Sequence, residues 1–436
     1  MKGLLGEDYC RYERTFLDPP ARGLRINTAK ITPSDFDAIF PYKTQPISYV
    51  TGGRLLLTDA KVGADPLHAA GLYYMQDPGA MSSVAALPAF KGRILDVAAA
   101  PGGKTIAAAL RSPDAFVVAN EVNFSRAKIL MQNVERLGLK NVAVTSLSPA
   151  DLGRYAPEAF DLLIADLPCS GEGMFRKEDA ALAAWNENIC EMNAARQKEI
   201  LLGVLPALRP GGTLLYSTCT YSLEEDEEIV HDLIEREGMT LLSPSEAVRA
   251  VTAPGVSVGG LSLKDARRFY PFLSPGEGQF FAILKKAGEA ALSTARALPP
   301  KISVGESKRI CAFTDRYLQG DLGVITRQGE SYYAVHPLSR TLPLRYLSEG
   351  VRIGEFSGDA FLPHHNLFTA FGDAFRNRED LSLSDPRLAR YLHGEEIEAE
   401  KASEGFVCVT VEGHPLGGGK CVGGTVKNRY PKGLRV

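Results

Sequence analysis

From Arg93 onward, short apolar runs alternate with longer stretches whose apolar residues recur every three or four positions. The short runs Arg93–Val97, Phe116–Asn120, Val142–Ser146, Asp161–Ala165, Gly212–Ser217 and Phe280–Leu284 predict strands. The stretches 103–111, 123–137, 191–208 and 223–236 predict helices between them. Strand–helix alternation of this kind predicts an α/β domain, a doubly wound Rossmann-like parallel sheet with helices on both faces. Pro210-Gly211-Gly212 predicts a break in the chain before the fifth strand.

The flanks read differently. Residues 1–70 form a first unit, ahead of an α/β unit at 71–287. Residues 288–305 have the composition of a linker. Short alternating runs such as Tyr332-Tyr333-Ala334-Val335 predict a small β-rich module at 306–372. Residues 373–436 form the last unit, whose end is glycine-rich and basic: Lys420, Lys427, Arg429, Lys432 and Arg435 follow one another with no acid after Glu412.

Composition narrows the class. The chain has 436 residues, 45% hydrophobic and 23% charged, enough for several cores and too ordered in composition for a disordered protein. Its net charge is −3, so any attraction for nucleic acid must come from a local patch. No apolar run approaches a membrane span, and the N-terminus lacks a signal-peptide core. The seven cysteines include no CxxC pair and the seven histidines no metal spacing. A disulfide framework, a structural zinc and any other metal site are therefore not expected, and a reducing, cytoplasmic setting is.

Two kinds of strand-end motif carry chemistry. Asp96-Val97-Ala98-Ala99-Ala100-Pro101-Gly102-Gly103-Lys104-Thr105 follows the first predicted strand, where small residues let backbone amides approach a ligand. Glu121 follows the second strand, placed to accept hydrogen bonds from ribose hydroxyls. A Gly-Gly turn beside a solvated acid would look the same by itself, and the loop is neither GxGxxG nor GxxxxGK[ST]. The second kind is Asp166-Leu167-Pro168-Cys169-Ser170-Gly171-Glu172-Gly173 after the fourth strand, with Ser217-Thr218-Cys219-Thr220-Tyr221-Ser222 after the fifth. One such cysteine would read as core packing. Two, at neighbouring strand ends beside an aspartate, suit attack on an electron-poor ring: a thiolate added to carbon 6 of cytosine makes carbon 5 nucleophilic.

These motifs, with Tyr74-Met75-Gln76-Asp77-Pro78 ahead of them, resemble the Sun/Nop family of RNA cytosine carbon-5 methyltransferases. The closing run Gly424–Arg435 resembles the PUA-like RNA-binding module of the bacterial RsmF type. The resemblance implies S-adenosylmethionine as cofactor, bound by Ala98, Ala99, Ala100, Pro101, Gly102, Gly103, Lys104, Glu121, Ser148 and Asp166. It implies Cys219 as the nucleophile, Cys169 as the group assisting product release, and Asp166 and Lys104 as catalytic neighbours. It implies small-subunit (16S) ribosomal RNA, or its particle, as partner of a monomeric enzyme. A transfer-RNA cytosine-5 methyltransferase and a catalytically weak RNA-binding assembly factor are the alternatives. This chain departs from the family pattern at Ala98 (often Cys), Ser148 (often acidic), Phe272 (often His), Gly418 (usually aromatic) and Arg429 (usually His).

A target base must leave its stack to reach a crevice thiol. Arg22, Arg25 and Asn27 from the first unit and the basic tail from the last are candidates for phosphate and sugar contacts. Tyr332, Tyr333 and Trp185 could stack on bases, but core packing is the expectation for all three. The acidic run Glu224–Glu228 is expected to cap a helix start.

Overall fold

The computed structural model describes residues 1–177, 182–183, 185–289, 298–299 and 301–435. Much of the expected linker therefore lies outside the described residues. The central sheet holds five parallel strands, β1 (Gly92–Asp96), β2 (Ala115–Asn120), β3 (Val142–Thr145), β4 (Phe160–Asp166) and β5 (Leu208–Thr218). Their lateral order is β5-β4-β1-β2-β3. The order reverses at β1, so the carboxyl ends of β1 and β4 open onto a crevice.

The strands are apolar on both faces because helices cover both. Ile94, Val117, Ile164 and Leu215 pack with Ile106 and Leu130 on one face. Their chain neighbours Leu95, Val118, Leu163 and Tyr216 pack with Leu152, Val204 and Ile229 on the other. This is the two-residue period of a pleated strand. The covering helices are α1 (Gly103–Arg111), α2 (Phe124–Leu137), α3 (Pro149–Tyr155), α4 (Glu187–Val204) and α5 (Glu227–Glu235). The α4 helix begins earlier than its pattern predicted because the Asn186 side chain accepts from Ile189 N and caps it.

Two expectations about the sheet need correction. It is not purely parallel: β6 (Gln279–Lys285) lies antiparallel to β5, and Ser348–Glu349 lies antiparallel to β3 at the opposite edge. These additions cover backbone groups that edge strands would otherwise leave open. Nor does Pro210-Gly211-Gly212 break the chain. β5 runs through it as a bulge, the register against β4 slipping between Phe160 and Leu162, with Gly211 at φ 68°. Pairing survives on the other side, where Gly211 N donates to Lys286 O and Lys286 N to Gly212 O.

The flanking units form three further sheets, within residues 23–75, 324–363 and 378–428. The first reaches Met75, past residue 70, where Tyr73–Met75 pairs with Gly23–Ile26. One continuous apolar cluster joins Leu24, Phe36 and Tyr73 of the first unit to Leu388, Tyr391 and Val407 of the last. Asn27 Nδ2 donates to Leu137 O, and Thr369 Oγ1 to Glu135 O, so both flanks are tied to the end of α2. Among the described residues, no helix is long and apolar enough to cross a membrane, and no cluster of three His, Cys, Asp or Glu could hold a metal.

Candidate active site

The loop after β1 is held by its own backbone. Val97 N donates to Ile164 O and Ala99 N to Asn120 O, at 2.9 and 2.8 Å. The Ala100 carbonyl accepts from Arg126 and the Pro101 carbonyl from Asn133. Gly102 sits at φ 123°, a conformation that favours glycine, and turns the chain into α1. A Cβ on Gly103 would stand 2.9 Å from Gln76 Nε2, so glycine there lets the first unit's strand end close against the loop. Ala99 and Ala100 are buried, Ala98 is half-buried and Pro101 exposed.

Four charged groups converge below this loop. Asp96 is fully buried and takes a 2.6 Å hydrogen bond from Thr105, while its Oδ1 has no partner. Burial pushes its carboxyl up to about 7, with Asp166 and Glu121 reinforcing and the Thr105 bond opposing. Glu121 is buried, accepts from Asn123 N at 3.0 Å, and turns its other oxygen to Arg126 at 3.4 Å. Lys104 Nζ lies 2.7 Å from Asp166 Oδ2, and Ser217 donates to Asp166 Oδ1 at 2.8 Å. Ser148 is also near the end of a strand, but its hydroxyl is spent on capping α3: it accepts from Asp151 N and donates to Asp151 Oδ2.

The ends of β4 and β5 bring the two expected cysteines together. Cys169 Sγ and Cys219 Sγ are 3.3 Å apart, and Cys219 N points at Cys169 Sγ at 3.4 Å. Both are half-buried free thiols. The hydrogen bond to Cys219, then burial, push the Cys169 thiol well above its ordinary range, and Glu225 adds to the rise. Cys169 therefore stays protonated at neutral pH.

The acidic run lies at the start of α5, as expected, with Glu227 and Glu228 in its first turn, and it is also part of this arrangement. Glu225, Asp226 and Glu227 are completely buried. Glu225 accepts from Ser170 N at 3.0 Å and from Gln197 Nε2 at 3.0 Å, and Gln197 also donates to Pro168 O. Ser170 and Thr220 hydroxyls meet at 2.6 Å. The loop carrying Cys169 is thus clamped to the loop carrying Cys219. Asp226 and Glu227 instead pair with the buried Arg268. Sequence reasoning missed Glu225 and Gln197; five consecutive residues rich in acid could have signalled it, because not all five side chains can face water at once.

The basic residues expected to hold RNA divide. Arg22 donates to Thr58 O and Ala60 O, and buried Asn27 to Gly71 O and Leu137 O. Backbone carbonyls left without partners by short loops consume both side chains, so neither is free for a phosphate. Arg25 is buried as well. Lys427 pairs with Glu396 at 2.6 Å, whereas Lys420, Arg429, Lys432 and Arg435 remain exposed. Tyr332 and Tyr333 lie in the core as expected; Trp185 does not, being 37% exposed with its edge to Phe175.

Residues 85–285 match the family described as 16S rRNA methyltransferase RsmB/F. Residues 1–78 match the N-terminal domain of 16S rRNA methyltransferase RsmF, and 378–436 the methyltransferase RsmF PUA domain. A ribosomal RNA small subunit methyltransferase F of Klebsiella pneumoniae (strain 342) is 33% identical, the match spanning 95% of this chain and 90% of the relative. The chain belongs to the RsmF family. The protein of the same name from Aeromonas hydrophila is 32% identical over 95% of this chain and 91% of its own. Among solved structures, a methyltransferase homolog from Pyrococcus horikoshii is 28% identical with a TM-score of 0.57, covering 64% of this chain and 91% of its own. NSun6 from the same organism, solved with SFG, shares the fold at 22% identity and a TM-score of 0.56, covering 66% and 97%.

Two departures from the family pattern have a structural account in this RsmF-family chain. Phe272 stacks on Tyr270 with ring centres 5.3 Å apart and receives Arg11 over its other side. A side chain at Gly418 would run into the Phe368 ring, with a Cβ only 2.2 Å from it, so Phe368 fills the space of the usual aromatic.

Proposed function

We propose that this chain transfers a methyl group from S-adenosylmethionine to carbon 5 of a cytosine in small-subunit ribosomal RNA, through a covalent bond between Cys219 and the base. The observation that carries the reading is the pair of sulfurs 3.3 Å apart at adjacent strand ends, beside the Asp166–Lys104 ion pair.

The crevice suits a ligand that brings hydrogen-bond donors and positive charge. Among the described residues, buried Asp96 Oδ1 has no hydrogen-bond partner and buried Glu121 Oε2 has only the longer ion pair with Arg126, and the half-exposed Asp166 is the third carboxylate. The cofactor's amino group, sulfonium and ribose hydroxyls match that set, and it supplies an electrophilic methyl group when bound. Ala98 to Lys104 form its cradle, with Glu121 on the ribose side. Ser148 lines the adenine side by shape alone, its hydroxyl being engaged.

Cys219, as thiolate, adds to carbon 6 of the flipped-out base; the electrons of the 5,6 double bond move to carbon 5, which accepts the methyl group. Asp166, oriented by Lys104 and Ser217, hydrogen-bonds the edge of the ring where charge develops. Bonding to carbon removes the Cys219 thiol from beside Cys169, and with it the largest cause of that thiol's reluctance to ionise. Cys169 then loses its proton to water, takes the proton from carbon 5, and the double bond re-forms as Cys219 leaves as thiolate. All these groups come from one chain, so a monomer suffices. The exposed cations Lys420, Arg429, Lys432 and Arg435 of the last unit hold RNA backbone.

Methyl transfer from labelled cofactor to small-subunit RNA, read with bisulfite sequencing, tests the proposal. Incorporation at a cytosine that Cys219→Ala abolishes is the expected result. RNA binding without incorporation would instead favour a non-catalytic assembly factor.

A further inference from the structure

Arg25 makes an unusual use of burial. It is 7% exposed, it points from the strand Gly23–Ile26 into the junction with the methyltransferase sheet, and among the described residues it has no carboxylate partner. Its Nε donates to Gln76 Oε1 at 3.1 Å, but its buried Nη2 has no hydrogen-bond partner among the described residues. A buried guanidinium without a counter-ion costs free energy unless something completes its hydrogen bonds.

Arg25 lines a cavity of about 250 Å³. Arg111, at the last turn of α1, lines the same cavity, as do Thr28 and Thr51. Arg111 spends Nε on Leu87 O and likewise has no carboxylate partner among the described residues. Among the described residues, no acid lines the cavity. The two guanidiniums feel each other: Arg25 is held down to about 10 by burial and by Arg111, which still leaves it charged at neutral pH. Two cations lining one space, with two hydroxyls and, among the described residues, no acid, suit an oxyanion. The cavity is distinct from the cofactor crevice. It borders Ala107, Leu110 and Arg111, whereas the cofactor loop enters α1 at Gly103, roughly 6–12 Å away along the helix at 1.5 Å per residue. A neighbouring cavity also carries cations, but Lys30 there is bonded to Ala70 O and Asp373 supplies an acid, so it lacks the same vacancy of charge.

We propose that the cavity between the first unit and α1, lined by Arg25, Arg111, Thr28 and Thr51, is a phosphate-binding site. The phosphate group is either a backbone phosphodiester of bound RNA or a free phosphate or nucleotide. The site also touches the catalytic unit: Arg25 braces Gln76, which lies against Gly103 of the cofactor loop.

Inorganic phosphate is the probe. At equal ionic strength, replacing chloride by phosphate raises the thermal midpoint of the wild-type full chain by roughly 2–4 °C at concentrations well above the dissociation constant. Arg111→Gln, at the exposed mouth, keeps the midpoint in chloride and loses most of that rise; Arg25→Gln loses it too, if it folds. A second arm titrates salt against binding of a small-subunit RNA fragment. A salt slope shallower by about 0.7–0.9 in Arg111→Gln assigns the phosphate to RNA backbone. An unchanged slope with the phosphate rise intact assigns it to a free phosphate. No rise in the wild type together with an unchanged salt slope, or an equal rise in wild type and Arg111→Gln, overturns the proposal. Methyl incorporation by the wild type is read separately and bears on neither outcome.

Discussion

The two cysteine loops of this protein are chemically alike in sequence and unlike in their surroundings. Cys169 rides on a loop pinned from behind: Glu225 grips Ser170 N, Gln197 grips Pro168 O, and Ser170 meets Thr220. Cys219 ends the long β5 strand, with its backbone carbonyl accepting from Gly173 N at 2.9 Å. The clamp fixes where the Cys169 sulfur sits, and the neighbouring sulfur with burial keeps it protonated. That suits Cys169 to the proton-holding role proposed for it. On the proposed mechanism, residue type would not separate nucleophile from helper; the surroundings of each sulfur would.

Substitutions can break this asymmetry, beginning with the largest effect. Cys219→Ala is expected to lower methyl incorporation by about 10³-fold or more, since it removes the thiol proposed to add to carbon 6. An equal loss only in Cys169→Ala would exchange the roles. Cys169→Ala is expected to lower turnover by about 10²-fold and to accumulate an RNA adduct on denaturing gels. An adduct appearing instead in Cys219→Ala would reverse the assignment. Glu225→Gln keeps the shape of the clamp but loses charge-assisted bonds, at a cost of about 1–3 kcal/mol in chemical unfolding. It should also slow product release more than binding; an unchanged adduct level would show that the clamp is structural only.

The proton asymmetry has its own test. In the wild type, Cys169 should resist alkylation at neutral pH, because its raised pKa leaves little thiolate. In Cys219→Ala the first cause of that rise is gone, so Cys169 should ionise at lower pH and alkylate faster by about 10-fold. Equal rates in both proteins would place the cause in burial alone. Smallest of all, Lys420→Gln with Arg429→Gln should weaken RNA binding a few-fold and make its salt slope shallower by about 0.7–0.9 per lost contact. Removing residues 415–436 would be a poor substitute, since His414–Val422 runs between two partner strands and its loss would unfold the last sheet.

The chain's own pattern settled the central strands, four of the five covering helices and the order of the strand-end motifs, because all of these follow from local periodicity and from residues adjacent in sequence; the short α3 carried no such signal. Asp166, Cys169 and Cys219 were legible as candidates since strand ends in an open α/β sheet converge whatever lies elsewhere. Tertiary structure alone decided which charges face water. Arg22 and Asn27 read as candidate phosphate and sugar contacts and Glu225 as part of a helix cap, and all three turn out to satisfy backbone groups far along the chain, over separations as long as 110 residues for Asn27 and Leu137. A polar side chain is buried only when distant partners complete its hydrogen bonds, and no local pattern encodes those partners. The same reason hid the shared core of the first and last units, which is built from residues more than 300 positions apart.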